Sequence, residues 1–258
     1  MTTIRTAAAA AARAAIAHRT EELFRESGAL KEGHFLLKSG RHSDRYLEKF
    51  LVLQHPRITS ELCGMWAAQA RGTDGKPLVD VVAGPTTGGV VLAFETARQL
   101  GVRSIFAEEV RDPDGTARRE FRRGFRIERG ERVLLVDDIL TTGGSILAML
   151  PPVEDAGGVI VGCAILVDRS GGTASLTSPL TGRTHPLSAL WVLDLPTYEA
   201  GEATCPMCAA GTALYAPGST GATATLGAAG GASSAIGPAR PRCGRRQPAS
   251  LDPAAGRT

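Results

Sequence analysis

The stretch that most constrains the fold of this chain is VLLVDDILTTGGS, residues 133–145. Its four leading apolar residues, Val133 to Val136, are bounded by Gly130 before them and by a polar turn after them. This pattern is typical of a strand buried on both faces of a parallel sheet. Two adjacent carboxylates, Asp137 and Asp138, come at the carboxyl end of that strand. The predicted strand therefore delivers two acidic groups to one edge of an α/β sheet.

A turn of small and hydroxyl residues, 141–145, follows the acids and runs into a predicted helix over 146–155. Such a turn offers unpaired backbone N–H groups, hydroxyl donors and the positive end of a helix dipole, which together can hold a phosphate dianion. Carboxylates repel a phosphate, so the two acids indicate a ligand that also carries hydroxyl groups and a metal ion. A ribose phosphate with Mg²⁺ has all of these groups.

This motif resembles the 5-phosphoribosyl-1-pyrophosphate (PRPP) signature of the type I phosphoribosyltransferases. The resemblance implies that the two acids contact the ribose hydroxyls and that the turn binds the 5-phosphate. It implies Mg²⁺ as cofactor, held through substrate and waters near the acids and not by direct protein ligands. The PRPP-binding residues implied here are Asp137, Asp138, Ile139, Leu140, Thr141, Thr142, Gly143, Gly144 and Ser145.

Strand and helix patterns alternate along the rest of the chain, which predicts an α/β fold with a parallel sheet flanked by helices. Ligands of such sheets bind beyond the carboxyl ends of the strands. Helices are predicted over 58–71 and 90–100, and further strands over 78–83, 104–107, 159–167 and 190–193. With the resemblance, this pattern implies the type I phosphoribosyltransferase fold, including a small N-terminal hood.

Composition divides the chain into three parts. Residues 1–19 are dominated by alanine, which predicts a frayed helical or disordered extension. Residues 20–216 form the predicted phosphoribosyltransferase domain, with the hood at about 20–57. Residues 217–258 are rich in Gly, Ala, Ser, Thr and Pro and nearly lack large apolar side chains, so we expect a disordered tail that cannot offset its ordering entropy.

Two stretches resemble the substrate segments of orotate phosphoribosyltransferases. HFLLKSGRHSDRYLEKF, residues 34–50, is similar to their N-terminal segment, which implies that Lys38 contacts the substrate and that Tyr46 flanks the base; Leu47 stands where a second aromatic residue is usual. Arg169, after the strand VGCAILV and Asp168, matches an arginine that binds the orotate carboxylate. A guanidinium recognises a carboxylate in a bidentate manner. The resemblance assigns Thr141 to the binding of both the orotate base and PRPP.

DVVAGPTTGGVVLA, residues 80–93, resembles the pyrophosphate loop of the same family. A glycine-rich turn lets backbone amides approach two phosphates closely. The resemblance assigns Thr86, Thr87 and Gly88 to PRPP binding. Some family members carry an aromatic residue and a lysine where this chain has the two threonines, so hydroxyl and backbone donors would replace that lysine here.

A long charged segment, residues 108–126, occupies the position of the family's mobile loop, which in many members contains lysines and a histidine. Its arginines stay protonated and cannot act as general acids or bases. They can neutralise a leaving pyrophosphate. The predicted catalytic set is therefore the two acids with the loop arginines, namely Asp137, Asp138, Arg118, Arg119, Arg122 and Arg123.

The resemblance implies an enzyme that converts orotate and PRPP to orotidine 5′-monophosphate and pyrophosphate in pyrimidine biosynthesis, as a homodimer with shared active sites. The alternatives are a purine phosphoribosyltransferase and a PRPP-binding regulator of the same fold. Lys38 and Arg169 disfavour a purine, which has no carboxylate. Five arginines and one aspartate lie from residue 216 onward, so most of the chain's positive net charge is in the tail. The net charge of residues 1–215 is near zero, and nucleic-acid binding is therefore not expected.

The five cysteines are few and odd in number, and no secretory signal precedes them, which predicts a cytoplasmic protein. No apolar run approaches the ~20 residues of a membrane-spanning helix, so no membrane partner is expected. Cys205 and Cys208 form a single CxxC. A zinc site needs two further ligands, and the sequence shows no second CxxC or paired histidines, which favours structural or incidental cysteines. His34 and His42 are expected to be packing or surface residues.

Overall fold

The computed structural model describes residues 2–217 and 223–226, with side chains described for residues 9–217. The helices are α1 (Thr2–Glu26), α2 (Lys49–Leu53), α3 (Pro56–Gln69), α4 (Gly88–Leu100), α5 (Gly144–Leu147), α6 (Leu150–Asp155) and α7 (Pro206–Ala209). The strands are β1 (Leu30–Leu36), β2 (His42–Leu47), β3 (Val81–Pro85), β4 (Arg103–Arg111), β5 (Ala117–Phe121), β6 (Arg132–Leu140), β7 (Val159–Asp168), β8 (Leu176–Thr177), β9 (Thr184–His185), β10 (Leu187–Val192), β11 (Thr197–Tyr198), β12 (Leu214–Pro217) and β13 (Thr223–Leu226).

The main sheet has the strand order β10-β7-β6-β3-β4-β5. All neighbours in it are parallel except β4 and β5. Residues 133–138 of β6 are buried, as expected for a strand covered on both faces. Leu140 of β6 pairs with Asp168 of β7, so the carboxyl ends of these two strands lie side by side. The predicted parallel α/β sheet is confirmed.

Apolar side chains cover both faces of this sheet. One cluster joins the end of α1 to α3 and α4 and includes Leu23, Phe24 and Trp66. The other lies under α5 and α6 and includes Met149 and Leu150. Because Leu23 and Phe24 have no exposed surface, the second half of α1 is anchored to the body of the domain.

The hood is a second sheet with the order β11-β2-β1-β12-β13. The residues on either side of Ser39 and Gly40 form the antiparallel hairpin β1–β2. Strand β12 lies parallel to β1 on its other side, so both ends of the domain build the hood. Within the predicted 217–258 tail, the structure describes Pro217 in β12 and residues 223–226, which pair with β12 as β13; the rest of that tail lies outside the described residues.

Two local expectations differ from the structure, and the alanine-rich extension is helical. The predicted helix over 146–155 is two short helices, because Pro151 and Pro152 lack the N–H groups that a continuous helix needs. Residues 108–121 belong mostly to the hairpin β4–β5, so the 108–126 segment is not an irregular loop. Most of the alanine-rich extension, from Thr2, belongs to α1, and Arg19 Nε donates to Glu61 of α3 at 2.6 Å.

Among the described helices, none combines the length and the apolar character needed to cross a bilayer.

Candidate active site

The predicted phosphate turn lies directly after β6 and lines a cavity of about 100 Å³. That volume is well below the roughly 300 Å³ of the smallest drug-sized pockets, so it suits a group the size of a phosphate. Gly143, the N-terminal cap that precedes α5, has a φ of +79°, which a residue with a Cβ adopts only under strain. The cavity is lined by Asp137, Ile139, Leu140, Thr141, Thr142, Gly143, Gly144, Ser145, Ile146 and Ile165.

The donors of this turn are available. The backbone N–H groups of Thr141, Thr142 and Gly143 donate to no other backbone group in the described part of the chain, and both threonines are exposed. Helix α5 has only four residues, so its dipole is smaller than the sequence suggested. The free N–H groups and hydroxyls therefore carry most of the attraction for an anion.

Asp137 and Asp138 are both buried at the end of β6. Burial, and then the negative charge of Asp138, raise the pKa of Asp137 to about 6. The backbone N–H of Asp138 donates to Asp137 Oδ1 at 2.9 Å and partly offsets this rise. Burial and a neighbouring carboxylate both favour the protonated form of Asp137, so the position is suited to cationic or hydroxyl-bearing ligands.

Lys49, at the start of α2, is a residue that the sequence analysis did not single out. Its Nζ lies 3.0 Å from Oδ1 and 2.9 Å from Oδ2 of Asp138. Its side chain is about one-third exposed, whereas that of Asp138 is almost fully buried. The hood segment therefore reaches the predicted catalytic acids through an ion pair.

The predicted pyrophosphate loop leaves β3 and enters α4 beside these acids. A Cβ on Gly88 would lie 2.0 Å from Asp138 Oδ2, so only glycine fits where the loop passes that carboxylate. The Thr86–Thr87 peptide is cis. Thr86 lies next to β4, since its N–H donates to Ala107 O at 3.0 Å. The structure therefore brings the predicted loop residues Thr86, Thr87 and Gly88 to the same edge of the sheet as the acids.

The four arginines that were predicted to be catalytic, Arg118, Arg119, Arg122 and Arg123, differ in their contacts and exposure. Arg119 Nη1 donates to Thr86 Oγ1 at 3.0 Å, and Arg119 Nη2 reaches Ser145 Oγ at 3.4 Å. Only a tenth of its side chain is exposed. It therefore joins the predicted pyrophosphate loop to the phosphate turn.

The other three candidates face acids of the same hairpin region. Arg118 pairs with Asp112 and Glu120, Arg122 with Glu120, and Arg123 with Glu108. All three side chains are exposed, so their charges are screened by water. A cavity of about 260 Å³ lies between this hairpin and the phosphate turn, and Arg118, Arg119 and Ser145 are among its lining residues.

Arg169 lies beside the phosphate turn, because its N–H donates to Leu140 O at 2.8 Å. Its Nε is buried and has no hydrogen-bond partner among the described residues. Burial lowers the pKa of Arg169, and the nearby Tyr46 opposes this effect. Burial and then Glu48 raise the pKa of Tyr46, whereas the positive charges of Arg169 and Lys49 lower it. Arg169 thus has a buried Nε without a partner among the described residues, and its charge acts on the Tyr46 hydroxyl.

Lys38 is exposed in the turn between β1 and β2, and no described contact joins it to Arg169. Tyr46 packs against Phe35 of the same hairpin, with ring centroids 5.6 Å apart. The hood therefore supplies Tyr46 and Lys49 to the site, while Thr141 and Arg169 come from the carboxyl edge of the main sheet.

Comparison with known proteins identifies the class. Residues 52–185 match the phosphoribosyl transferase domain family, and the chain belongs to it. The fold is that of the type I phosphoribosyltransferases, and the enzyme is a pentosyltransferase.

Relatives of the chain within that class are orotate phosphoribosyltransferases. The chain is 43% identical to the orotate phosphoribosyltransferase of Caldicellulosiruptor saccharolyticus over 77% of its own length and 94% of the relative. It is 43% identical to that of Pelotomaculum thermopropionicum over 76% of its length and 94% of the relative. The crystal structure of orotate phosphoribosyltransferase from Aeropyrum pernix matches with a TM-score of 0.53 and 27% identity, over 67% of this chain and 92% of that one. The chain is an orotate phosphoribosyltransferase.

Proposed function

We propose that this enzyme transfers the 5-phosphoribosyl group of PRPP to N1 of orotate, giving orotidine 5′-monophosphate and pyrophosphate for pyrimidine biosynthesis. The bond from C1 of the ribose to the pyrophosphate oxygen breaks, the bond from C1 to N1 forms, and N1 loses its proton. The single observation that carries the choice of base is Arg169, whose buried Nε has no hydrogen-bond partner among the described residues and whose backbone N–H donates to Leu140, the last residue of β6 before the phosphate turn.

A buried donor without an acceptor is costly unless a ligand supplies one. The carboxylate of orotate is such an acceptor, and its planar ring can lie against Tyr46. Lys38, in the exposed turn of the hood, is the second cation that the family resemblance assigns to the substrate. A purine offers no carboxylate to Arg169, and a purine phosphoribosyltransferase is therefore disfavoured.

The PRPP is placed by the two glycine-rich turns. The 5-phosphate accepts hydrogen bonds from the turn 141–145, and the pyrophosphate lies along Thr86, Thr87 and Gly88. The ribose hydroxyls face Asp137 and Asp138. Holding both reactants in line lowers the barrier by removing their translational freedom, and this orientation is the main task of the protein.

Positive charge near the leaving group is the second contribution. The transition state has oxocarbenium character, as in glycosyl transfer generally, and negative charge grows on the pyrophosphate. Arg119 is already placed between Thr86 and Ser145, so its guanidinium can stabilise that charge without reorganisation.

Mg²⁺ is the cofactor that the family implies, and the chemistry of Asp137 and Asp138 fits it, since hard carboxylate oxygens are its preferred protein ligands. These two residues would hold the ion through water and substrate. When bound, Mg²⁺ neutralises pyrophosphate charge. Lys49 meanwhile holds Asp138 in place.

Support for a homodimer comes from α4, which carries Gly88 at its start. Val91 and Phe94 of that helix are 43% and 63% exposed, respectively, and line an apolar cavity with Leu53. Large exposed apolar patches mark interaction surfaces, and a second copy of this chain is the proposed partner. Cytoplasmic placement is supported by the thiols, because the four described cysteines form no disulfide.

The decisive experiment follows the absorbance of orotate when PRPP and Mg²⁺ are added. Orotate is expected to disappear with stoichiometric release of pyrophosphate, whereas adenine, hypoxanthine and guanine do not react. Arg169→Gln is expected to raise KM for orotate at least tenfold and leave KM for PRPP near its original value. Turnover of a purine in place of orotate, or PRPP binding without any turnover, would refute the proposal.

A further inference from the structure

Four potential metal ligands converge in the hood and its C-terminal neighbour α7. Cys205 Sγ lies 3.6 Å and Cys208 Sγ 3.7 Å from His34 Nε2. Cys208 Sγ lies 3.3 Å from His42 Nδ1, and the two histidine nitrogens are 2.7 Å apart. All four ligand atoms lie within 4.8 Å of one another. The CxxC that lacked partners in the sequence thus acquires two histidines through the fold.

We propose that His34, His42, Cys205 and Cys208 form a structural zinc site. Zinc prefers a tetrahedral set of sulfur and nitrogen ligands with bonds of about 2.3 Å and about 2.0 Å, which places a nitrogen and a sulfur roughly 3.5 Å apart. The three nitrogen–sulfur distances of 3.3, 3.6 and 3.7 Å agree with this value. The two nitrogens need to separate by only roughly half an ångström to complete the tetrahedron.

The surroundings of His34 prepare it as a ligand. Its Nδ1 lies 2.8 Å from Thr212 O, and since a carbonyl only accepts, Nδ1 carries the hydrogen. The lone pair therefore resides on Nε2, the atom that faces both sulfurs. A backbone carbonyl that holds the second nitrogen of a histidine is the usual support of a metal-bound imidazole.

Burial is consistent with a closed site. His34, His42 and Cys205 are buried and Cys208 is partly buried. A catalytic zinc ion keeps one position open for water or substrate, whereas a set of four protein ligands closes it. The assigned role is therefore structural. Sulfur and nitrogen ligands in this arrangement select zinc over Mg²⁺, which prefers oxygen.

The ion would connect parts of the chain that are far apart in sequence. His34 is in β1 and His42 in β2, and Cys205 and Cys208 lie 171 and 174 positions beyond His34. Helix α7 has four residues, none of them buried, so apolar contacts do little to hold it. A metal cross-link that closes so long a loop gains much stability by restricting the unfolded chain.

The same hairpin carries Lys38 and Tyr46, so the ion also positions the base side of the site; this consequence rests on the proposed function. Metal binding itself does not depend on the proposed function. Metal content and thermal unfolding therefore test the zinc site even if the substrate were a different base, and orotate kinetics test the base separately.

The experiment measures zinc in the full-length protein purified under reducing conditions, and again after reconstitution with ZnCl₂ and gel filtration. We expect one zinc per chain, lost in Cys208→Ser and in His42→Asn but kept in Cys243→Ser, a control that removes one thiol from outside the four ligands. Replacement of zinc by Co²⁺ in the wild-type protein is expected to give thiolate charge-transfer bands and the intense d–d bands of tetrahedral cobalt. This measurement does not depend on whether a variant folds.

Three results would overturn the site. They are the absence of stoichiometric zinc both before and after reconstitution, equal zinc binding by the wild type and Cys208→Ser, and a Cys205–Cys208 disulfide in the reduced preparation. If the site is correct, chelation lowers the midpoint of thermal unfolding of the wild type but not of Cys208→Ser. Under the proposed function, protein stripped of zinc, freed of the chelator and assayed with Mg²⁺ also shows a KM for orotate that is raised by a larger factor than kcat is lowered.

Discussion

Lys49 Nζ lies 2.9 Å from Oδ2 of Asp138, a residue 89 positions further along the chain. The ion pair ties the hood to the carboxyl edge of the main sheet, at the two acids that are proposed to be catalytic. It also sets the electrostatics of those acids, because the charge of Lys49 lowers the pKa of Asp137 against the larger effects of burial and Asp138. The hood therefore influences the acids directly and does more than cover them.

Removal of this lysine is expected to damage the PRPP site. Lys49→Met leaves the buried Asp138 carboxylate without its cation, and an uncompensated buried charge is costly. We expect kcat/KM for PRPP to fall at least about tenfold, equivalent to about 1.4 kcal/mol in the transition state. Steady-state kinetics measure the effect. Lys76→Met is the matched control, because Lys76 is 83% exposed; equal kinetics for the two variants would contradict the assigned role.

The raised pKa of Asp137, about 6, predicts an acid limb in the pH profile. Asp137 gains a proton as the pH falls through that value, and a neutral acid orients ribose hydroxyls and metal-bound water less well. We expect kcat/KM for PRPP, which reports the free enzyme, to decline below about pH 6. Asp137→Asn is expected to lower turnover by orders of magnitude and to lack this limb. An unchanged rate in that variant would refute the role of the acid.

The same shift predicts a change in stability. The pKa of Asp137 is higher in the folded protein than the 3.8 of an ordinary aspartate, so the folded state binds the proton more tightly. The free energy of unfolding then falls as the pH rises from about 4 to about 6 and is constant above. Asp137→Asn is expected to be more stable than the wild type at pH 8 by up to about 3 kcal/mol, measured by urea unfolding. A less stable variant at that pH would contradict the shift.

Arg119 is expected to matter more than any other arginine of its hairpin. Arg119→Ala removes the donor between Thr86 and Ser145, and loss of one such preorganised donor typically costs ~100-fold in kcat. Arg119→Lys cannot reach both loops and is expected to restore little. Arg111→Ala, whose side chain is 66% exposed, is the control. If kcat survives Arg119→Ala, an exposed arginine such as Arg122 supplies the charge instead.

The close approach of Gly88 to Asp138 predicts that even one methyl group is harmful there. The new Cβ of Gly88→Ala would meet Asp138 Oδ2 at 2.0 Å, so the carboxylate or the loop must shift. We expect a large loss of kcat with the fold retained, judged by circular dichroism. Gly162→Ala is the comparison, because its methyl group meets nothing nearer than 3.7 Å. Full activity of Gly88→Ala would show that Asp138 is free to move.

The apolar patch on α4 predicts the oligomeric state. Phe94→Asp places a charge on a side chain that is 63% exposed, so it should leave the monomer fold intact and weaken association between copies. Sedimentation of the wild type is expected to show a dimer and that of the variant a monomer. Identical sedimentation of both proteins would place the interface elsewhere.

The sheet and the phosphate turn could be predicted because each is determined by residues that are close together in the sequence. The run Val133 to Val136 and the two acids after it define the end of β6 without reference to any distant residue. The position of Arg169 followed for the same reason, since the carboxyl ends of neighbouring parallel strands share an edge. The interaction of its charge with Tyr46 did not follow, because that interaction depends on the packing of the hood.

Contacts between distant segments could not be predicted. The Lys49–Asp138 pair and the approach of Arg119 to Thr86 depend on register and on the fold of a hairpin that looked like a loop. The clearest case is the CxxC at Cys205. Its two histidines occur eight positions apart on either side of a turn, and His34 lies 171 positions before Cys205, so no spacing rule joins them.

The pairing of β12 with β1 has a consequence for biosynthesis. Strand β1 emerges from the ribosome early, but its parallel neighbour is translated only after the whole main sheet. Domains generally fold as units during synthesis, and the hood cannot be completed before β12 has been made, by which time every strand of the main sheet has been translated. The hood, which carries residues proposed to recognise the base, is therefore the last part that the newly made chain can assemble.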